Sequence, residues 1–307
     1  MTYDISIKKV TLAGASGPVG TAILKELLKS QLFDISVLTR HTSTHTFPAG
    51  VKVVPVDYTS TESLIAALQG QDALVSSVAM AAVPSQRLLI DAAVQAGIKR
   101  IIPSEFGCDL KNTAARKLPV FAGKVDIERY LDELAIKGET SYTLVFCGPF
   151  LDLGLRQGIF LNFEKREAHV YDGGDQLIST SRLGTAGKAV RRILTHPRET
   201  ADRAVWVKDI DISQNQLLKL AKSLTPGEEW KVTQVNTAEL EKESMAQIKN
   251  KEVGSKTMSG LLLRGIFAPE CGNLFKHVHN SVLGITGISG PDLEELVASI
   301  FGTKKLE

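Results

Sequence analysis

Three observations in the sequence predict an α/β fold. Over the first half of the chain, short β-branched runs alternate with amphipathic segments of roughly 10–15 residues, the pattern of βαβ units in a parallel sheet. An apolar run, Val10-Thr-Leu-Ala, leads straight into glycines spaced three apart at Gly14, Gly17 and Gly20, with a short amphipathic stretch from Thr21 to Lys29 behind them. Past about Phe150 the alternation gives way to isolated strand-like pieces and separate helices. Together these predict a Rossmann-type doubly wound parallel sheet over residues 1–150. A smaller C-terminal α+β lobe that covers a substrate is expected over 151–307.

Taken in order, the first strand is expected over Ile5 to Leu12 and the second over Ile35 to Thr39, ending at Arg40. The third covers Val51 to Val56, rich in β-branched residues. Asp57-Tyr-Thr-Ser-Thr caps a helix from Glu62 to Leu68, with Gly70 as its stop. Ala73 to Val78 reads as a buried strand, and Ser85 to Ala96 as a helix closed by Gly97. Lys99 to Ile102 opens a strand that runs into Pro103-Ser-Glu-Phe-Gly107. A helix from Phe121 to Ile136 precedes the strand Ser141 to Phe146.

In the second half, Ala168 to Tyr171 and Gln176 to Ser179 flank Asp172-Gly-Gly-Asp175, which reads as a hairpin turn. Helices are expected over Leu183 to Leu194, over Gln214 to Leu224 with Ser213 as cap, over Thr237 to Lys249 and over Pro291 to Phe301. Trp206 and Trp230 fall in short strand-like pieces.

Composition narrows the function classes. The chain has 307 residues, 43% of them hydrophobic and 23% charged, ordinary values for a globular protein. A net charge of +2 carries neither a nucleic-acid footprint nor a membrane-surface patch. No apolar run is long enough to span a bilayer, and Met1 to Val10 lack the core of a signal peptide. The three cysteines, Cys108, Cys147 and Cys271, are scattered and odd in number, so they read as thiols in a reducing compartment. The expectation is a cytoplasmic protein, monomeric or homodimeric.

The glycine spacing is what a dinucleotide pyrophosphate requires. Gly14 allows the tight turn, Gly17 lets the backbone approach the phosphates, and Gly20 lets helix pack on strand. The N–H groups of the new helix then meet the anion, and Pro18 in its first turn gives up an N–H that has no partner anyway. Ser16, Val19 and the three glycines are therefore assigned to the cofactor along with Pro18. Arg40 ends the second strand, where an acid would accept from a ribose 2′-OH and an arginine accommodates a 2′-phosphate. Most arginines are solvated loop residues. With no acid in Leu38-Thr-Arg-His-Thr-Ser-Thr44, however, the position points to NADP. Asp57, past the third strand, is placed either to approach the adenine ring or to cap the next helix.

Ligands of open α/β sheets lie beyond the carboxyl ends of the strands. Besides the glycine turn, that region holds Val78-Ala-Met80 with Gln86, Pro103 to Gly107, and Cys147-Gly-Pro-Phe150. None of the five tyrosines has a lysine four residues on, so the Tyr-x-x-x-Lys pair of ordinary short-chain dehydrogenases is missing. Lys124 is the alternative. Helical rotation places it between Phe121 and Leu131 on the apolar face, with Glu128 one turn later. It either snorkels to a surface pair with Glu128 or stays buried, the situation in which lysines become proton donors and acceptors. His277 and His279 lie two apart near Cys271, but no second cluster completes a metal site. No G-x-S-x-G, P-loop or His-Glu-x-x-His is present.

Gly14-x-x-Gly17-x-x-Gly20, Arg40, Gln86, Lys99 to Gly107, and Phe121-x-x-Lys124-x-x-Ile127-x-Arg129 together resemble a known family. It is the isoflavone reductase-like branch of the NmrA-like atypical short-chain dehydrogenases, with the plant phenylcoumaran benzylic ether and pinoresinol–lariciresinol reductases. The resemblance covers roughly the first 160 residues. It implies NADPH, hydride transfer to a small phenolic substrate, and Lys124 as general acid/base. The preferred expectation is an NADPH-dependent reductase with the nicotinamide near Phe150 and Met80, and with Gln86 and Lys124 also counted among the cofactor-binding residues. Plant members resemble Ser-Asn-Cys-Phe-Ala-Gly-Tyr-Phe after the sixth strand. This chain has Phe146-Cys-Gly-Pro-Phe-Leu-Asp-Leu there, so the plant substrate preference is not implied. The competing expectation is a non-catalytic NADP(H)-sensing regulator, as in other NmrA-like proteins.

Overall fold

In the computed structural model, which describes residues 6–303, Val10 to Ala13 are completely buried. A strand covered on both faces belongs inside a parallel sheet with a helical layer on each side. This strand, β1 (Lys9–Ala13), pairs with β2 (Asp34–Arg40), Val10 opposite Ile35, and β2 pairs with β3 (Val51–Val56). On its other side lie β4 (Ala73–Ser76), β5 (Arg100–Ile102) and β6 (Ser141–Phe146). All are parallel, in the doubly wound order β3-β2-β1-β4-β5-β6. The start expected at Ile5 lies outside the described residues.

The intervening helices are α1 (Pro18–Ser30), α2 (Thr61–Leu68), α3 (Gln86–Gln95), α4 (Thr113–Arg116) and α5 (Ala122–Ile136). Alternate strand residues feed two cores. Val10, Leu12, Val37 and Val75 join Ile23 and Leu27 of α1 on one face. Ala13, Leu38, Leu74 and Ile101 join Leu64, Ile90 and Leu131 on the other.

The chain leaves the sheet after β6 and then comes back. Past α6 (Leu151–Arg156), β7 (Glu167–Tyr171) and β8 (Ile178–Thr180), helix α7 (Leu183–Thr195) packs against α1. Strand β9 (Arg203–Trp206) then extends the sheet, with Val145 opposite Val205. The division placed at residue 150 is therefore not the edge of the sheet layers. The apolar stripe of Ala186, Val190 and Ile193 completes the same core as α1. The rest comprises β10 (Ile210–Ile212), α8 (Gln214–Leu224), β11 (Lys231–Val235), α9 (Thr237–Lys249), α10 (Ser255–Phe267) and α11 (Gly290–Thr303).

The expected hairpin around Asp172 does not form. β7 pairs in parallel with β11, Val170 opposite Gln234, whereas β8 pairs antiparallel with β10. Asp172, at φ 47°, turns its carboxylate toward the start of α9 instead. There it accepts from the backbone N–H of Thr237 at 2.8 Å and from the Thr237 hydroxyl, and lies 4.0 Å from Arg264. The turn residues thus anchor a helix from a distant part of the chain. Asp172→Ala is expected to cost about 1.5–3 kcal/mol, the scale of hydrogen bonds to a charged group. Asp172→Asn should lose less, because it keeps an acceptor and tolerates the left-handed backbone. The urea midpoints of the two variants check this ordering.

Candidate active site

The glycine turn is built by close approach. At Gly14 (φ 80°) an added Cβ would stand 2.6 Å from the carbonyl oxygen of Ser77, and at Gly20 one would stand 2.1 Å from the carbonyl oxygen of Gly14. Ser77, one residue past β4, fastens the turn by donating its hydroxyl toward the carbonyls of Ala13 (3.0 Å) and Gly14 (3.2 Å). Gly17 caps α1 with extended backbone and Pro18 opens it. No side chain accepts from its first turn, and no acid sits there. That helix end is open to an anion.

A groove of about 460 Å³ runs from this turn past Ser16 and Ser77 to Arg40. Arg40 is exposed at the tip of β2 and has no carboxylate partner among the described residues. Beyond it the wall is Tyr58, whose hydroxyl donates to the Leu38 carbonyl at 3.2 Å and whose phenol burial pushes up to about 12. Asp57 lies off that wall. Its carboxylate accepts from the Thr59 hydroxyl (2.7 Å) and backbone N–H (2.8 Å), which hold it below the usual carboxylate range. The cap of α2 is Ser60, not Asp57.

Ser77 and Val78 also wall a second space of about 150 Å³, next to the groove and bounded by Val19, Met80, Val83, Ser104, Glu105, Phe106 and Lys124. Lys124 is 7% exposed, so its helical position does bury it. The surface pair with Glu128 is absent, because Glu128 is held by Lys111 and, at 2.7 Å, by Arg116. Lys124 donates instead to the backbone carbonyl of Glu105 and lies 4.0 Å from the Glu105 carboxylate. Phe106, at φ 31°, occupies a backbone region unusual for a bulky residue, next to this contact.

The other expected residues are placed as follows. Met80 is half-exposed at the cavity rim. Gln86 is buried and spans two segments: its side-chain oxygen accepts from Ser104 N–H at 2.9 Å and its amide donates to the Val83 carbonyl at 3.3 Å. It therefore holds the Pro103–Gly107 segment rather than lining the cavity. Phe150 caps α6 and packs, with Val19, against the core containing Phe106. His279 stacks on Trp206 and its Nδ1 accepts from the Trp206 N–H. Among the described residues no cluster of His, Cys, Asp or Glu could hold a metal.

Glu105 is the site residue that sequence reasoning did not single out. It is 3% exposed, and its Oε2 has no hydrogen-bond partner. Burial pushes its carboxyl up to about 7; Lys124, Lys111 and Arg116 oppose that rise and Glu128 adds to it. The available signal was its position one turn beyond a strand end.

These features define a dinucleotide-binding fold with a buried lysine in a cavity beside its groove. Residues 6–163 match the model of the NmrA-like family. The chain is 33% identical over 234 residues to "Oxidoreductase aprR" of Aspergillus flavus, covering 75% of this chain and 78% of that protein. It is 34% identical over 239 residues to "Oxidoreductase poxI" of Penicillium oxalicum, covering 76% and 74%. Among solved structures it is similar to AtPrR2 with NADP+ and (+)pinoresinol, at 22% identity and a TM-score of 0.70, covering 89% of this chain and 90% of that one. The chain belongs to the NmrA-like family, in its isoflavone reductase-like branch of oxidoreductases. Among the described residues no helix is long and apolar enough to cross a membrane.

Glu105 makes stability depend on pH. Its folded pKa lies above that of a free carboxyl, so ionisation is costlier in the folded state and wild-type stability falls as pH rises from about 4.5 to about 7. Glu105→Gln should therefore gain on wild type by about 3 kcal/mol across that window. Denaturant titrations at pH 4.5 and 8 measure the difference. A constant offset between the two proteins would show that Glu105 titrates normally.

Proposed function

We propose that this chain is an NADPH-dependent reductase acting on a small aromatic, phenolic or polyketide-like compound, with Lys124 as general acid/base. The observation that carries this reading is a buried lysine in the wall of a cavity that shares Ser77 and Val78 with the groove at the glycine turn. When bound, NADPH supplies a hydride from its nicotinamide. Around Gly14, Gly17 and Gly20, Ser16 in the turn and the open first turn of α1 at Pro18 and Val19 would hold the pyrophosphate. Arg40 takes the 2′-phosphate, and Tyr58 replaces Asp57 beside the adenosine. Val19 and Met80 border the reacting end, with Phe150 packed behind, and Gln86 acts by holding Ser104 in place. The (+)pinoresinol that accompanies NADP+ in the AtPrR2 structure supports an aromatic substrate class.

Lys124 stands where a proton must be given or taken as hydride arrives. Lys124→Ala is expected to leave NADPH affinity near wild type and lower turnover by about 10²–10⁴-fold, the usual contribution of a positioned proton donor. A panel of phenolic, benzylic-ether and polyketide ketone compounds, followed by NADPH absorbance, provides the assay. Undiminished turnover in the variant removes Lys124 from the chemistry, and no NADPH oxidation by wild type across the panel overturns the reductase reading. Arg40→Ala should weaken NADPH by about 1.5–3 kcal/mol and leave NADH nearly unchanged. Titration with both nucleotides checks this, and equal losses would show that Arg40 does not meet the 2′-phosphate.

A further inference from the structure

We propose that Glu105 is the proton partner of Lys124, its carboxyl passing a proton to the amine at the end of the cavity. The proposal rests on the reductase reading only for its consequence in turnover. The pairing itself stands on geometry.

Two buried carboxylates lie near Lys124, and they are partnered differently. Glu128, on α5, is 3% exposed at its side chain and meets two cations, Lys111 and Arg116. Its charge is committed. Glu105, on the segment after β5, is 2% exposed at its side chain and faces the Lys124 ammonium at 4.0 Å, with Oε2 otherwise unsatisfied. An orphaned buried carboxylate oxygen costs several kcal/mol unless the group holds a proton or gains a partner. The charged groups acting on Glu105 are Lys124 and Glu128 from α5 and Lys111 and Arg116 from the stretch leading to α5, and burial dominates their combined effect. Both members of the pair line the same space of about 150 Å³, so on the reductase reading the proton they share faces the space where the substrate reacts. The backbone carbonyl of Glu105 accepts from Lys124 Nζ, so one residue fixes the amine and also supplies the carboxyl.

During reduction the substrate gains a hydride at carbon, and Lys124 gives one proton to the developing anion. An N–H bond of Lys124 breaks and an O–H or C–H bond of the product forms. The Glu105 carboxyl then gives its proton to the neutral amine, restoring the ammonium, and a solvent proton returns to the carboxylate. The net change is consumption of NADPH and one proton. The 4.0 Å separation is that of an ion pair, and the carboxyl must swing toward the amine for the transfer, as catalytic contacts tighten when ligands bind.

The test uses the full chain, labelled with ¹³C at the glutamate side-chain carboxyl and titrated by NMR with NADP+ present. The expected result is one glutamate titrating near pH 7. It should be absent from Glu105→Gln and displaced upward by about one pH unit or more in Lys124→Met, which removes the charge that favours the carboxylate. An ordinary glutamate midpoint, or one that Lys124→Met does not move, overturns the pairing. On a compound turned over by wild type, Glu105→Gln should lower kcat about 10-fold or more, keep KM for NADPH, and lose the fall in kcat above pH 7. Glu105→Asp should restore part of both. Unchanged kcat and an unchanged pH limb in Glu105→Gln overturn the proton-partner role. If no compound is reduced by wild type, the reductase reading fails, while the NMR titration still decides whether the pair exists.

Discussion

The contact on which most of this structure depends is the one between Gly20 and the carbonyl of Gly14. It leaves no room for a Cβ, so α1 starts directly against the end of β1. Ser77 reaches both carbonyls of the turn and ties the end of β4 to the same point. Three elements therefore converge at one corner, and the open helix end that results faces the groove. Because the strands are parallel, the ends of β2, β4 and β5 deliver Arg40, Met80 and Glu105 to the same side of the sheet. On the outer side, α7 covers α1 and completes the core that keeps the corner rigid.

A second constraint is the cost of charge in the interior. This chain buries Lys124, Glu105 and Glu128 within one region, and each would be unfavourable if left alone. Glu128 is neutralised through close ion pairs with Lys111 and Arg116, the arrangement expected of a structural site. Lys124 and Glu105 remain loosely paired, next to empty space rather than packed side chains. Loose pairing beside a cavity is a poor way to stabilise a fold and a good way to keep a proton transferable. The strained backbone at Phe106 adjoins the same contact.

The sheet was readable because its inner strands are buried apolar runs separated by amphipathic helices, while the edge strand β3 shows through its β-branched residues rather than through burial. The face that carries Lys124 was readable from helical spacing, but spacing left burial and a surface pair with Glu128 both open, and the ion pairs of Glu128 with Lys111 and Arg116 decide between them. Glu105 was not readable, because a loop has no period to show which way a carboxylate points. Asp57 lies just past a strand end, where alternation no longer applies, and its bonds to Thr59 leave Tyr58 rather than Asp57 in the groove wall. The Asp172 turn carried a good local hairpin signal, but the true partner of β7 lies far along the chain, at β11. Helix α10 was hidden by glycine at its cap and by Gly260 and Gly265 within it. These lower helix propensity yet seat the helix against Ser244 and the Phe121 ring.

The size of the cavity bears on how a substrate is chosen. Pockets that enclose a whole drug-sized ligand run to about 300–1,000 Å³. The space at Lys124 is about 150 Å³, enough for a reacting group and not for an aromatic compound of several rings. On the proposed reading, most of the substrate therefore lies outside it, across the rim where Met80 is 39% exposed. A thioether side chain adapts to irregular shapes, so that rim discriminates weakly by itself. Selectivity then falls to whatever faces the rim from the second half of the chain. That half also departs from the plant reductases immediately after β6. On the proposed reading, cofactor and proton chemistry belong to the corner at Gly14 and the pair at Lys124; beyond β6, α7 and β9 are tied to that corner through the core and the sheet, and the segments outside them are the ones free to change the substrate.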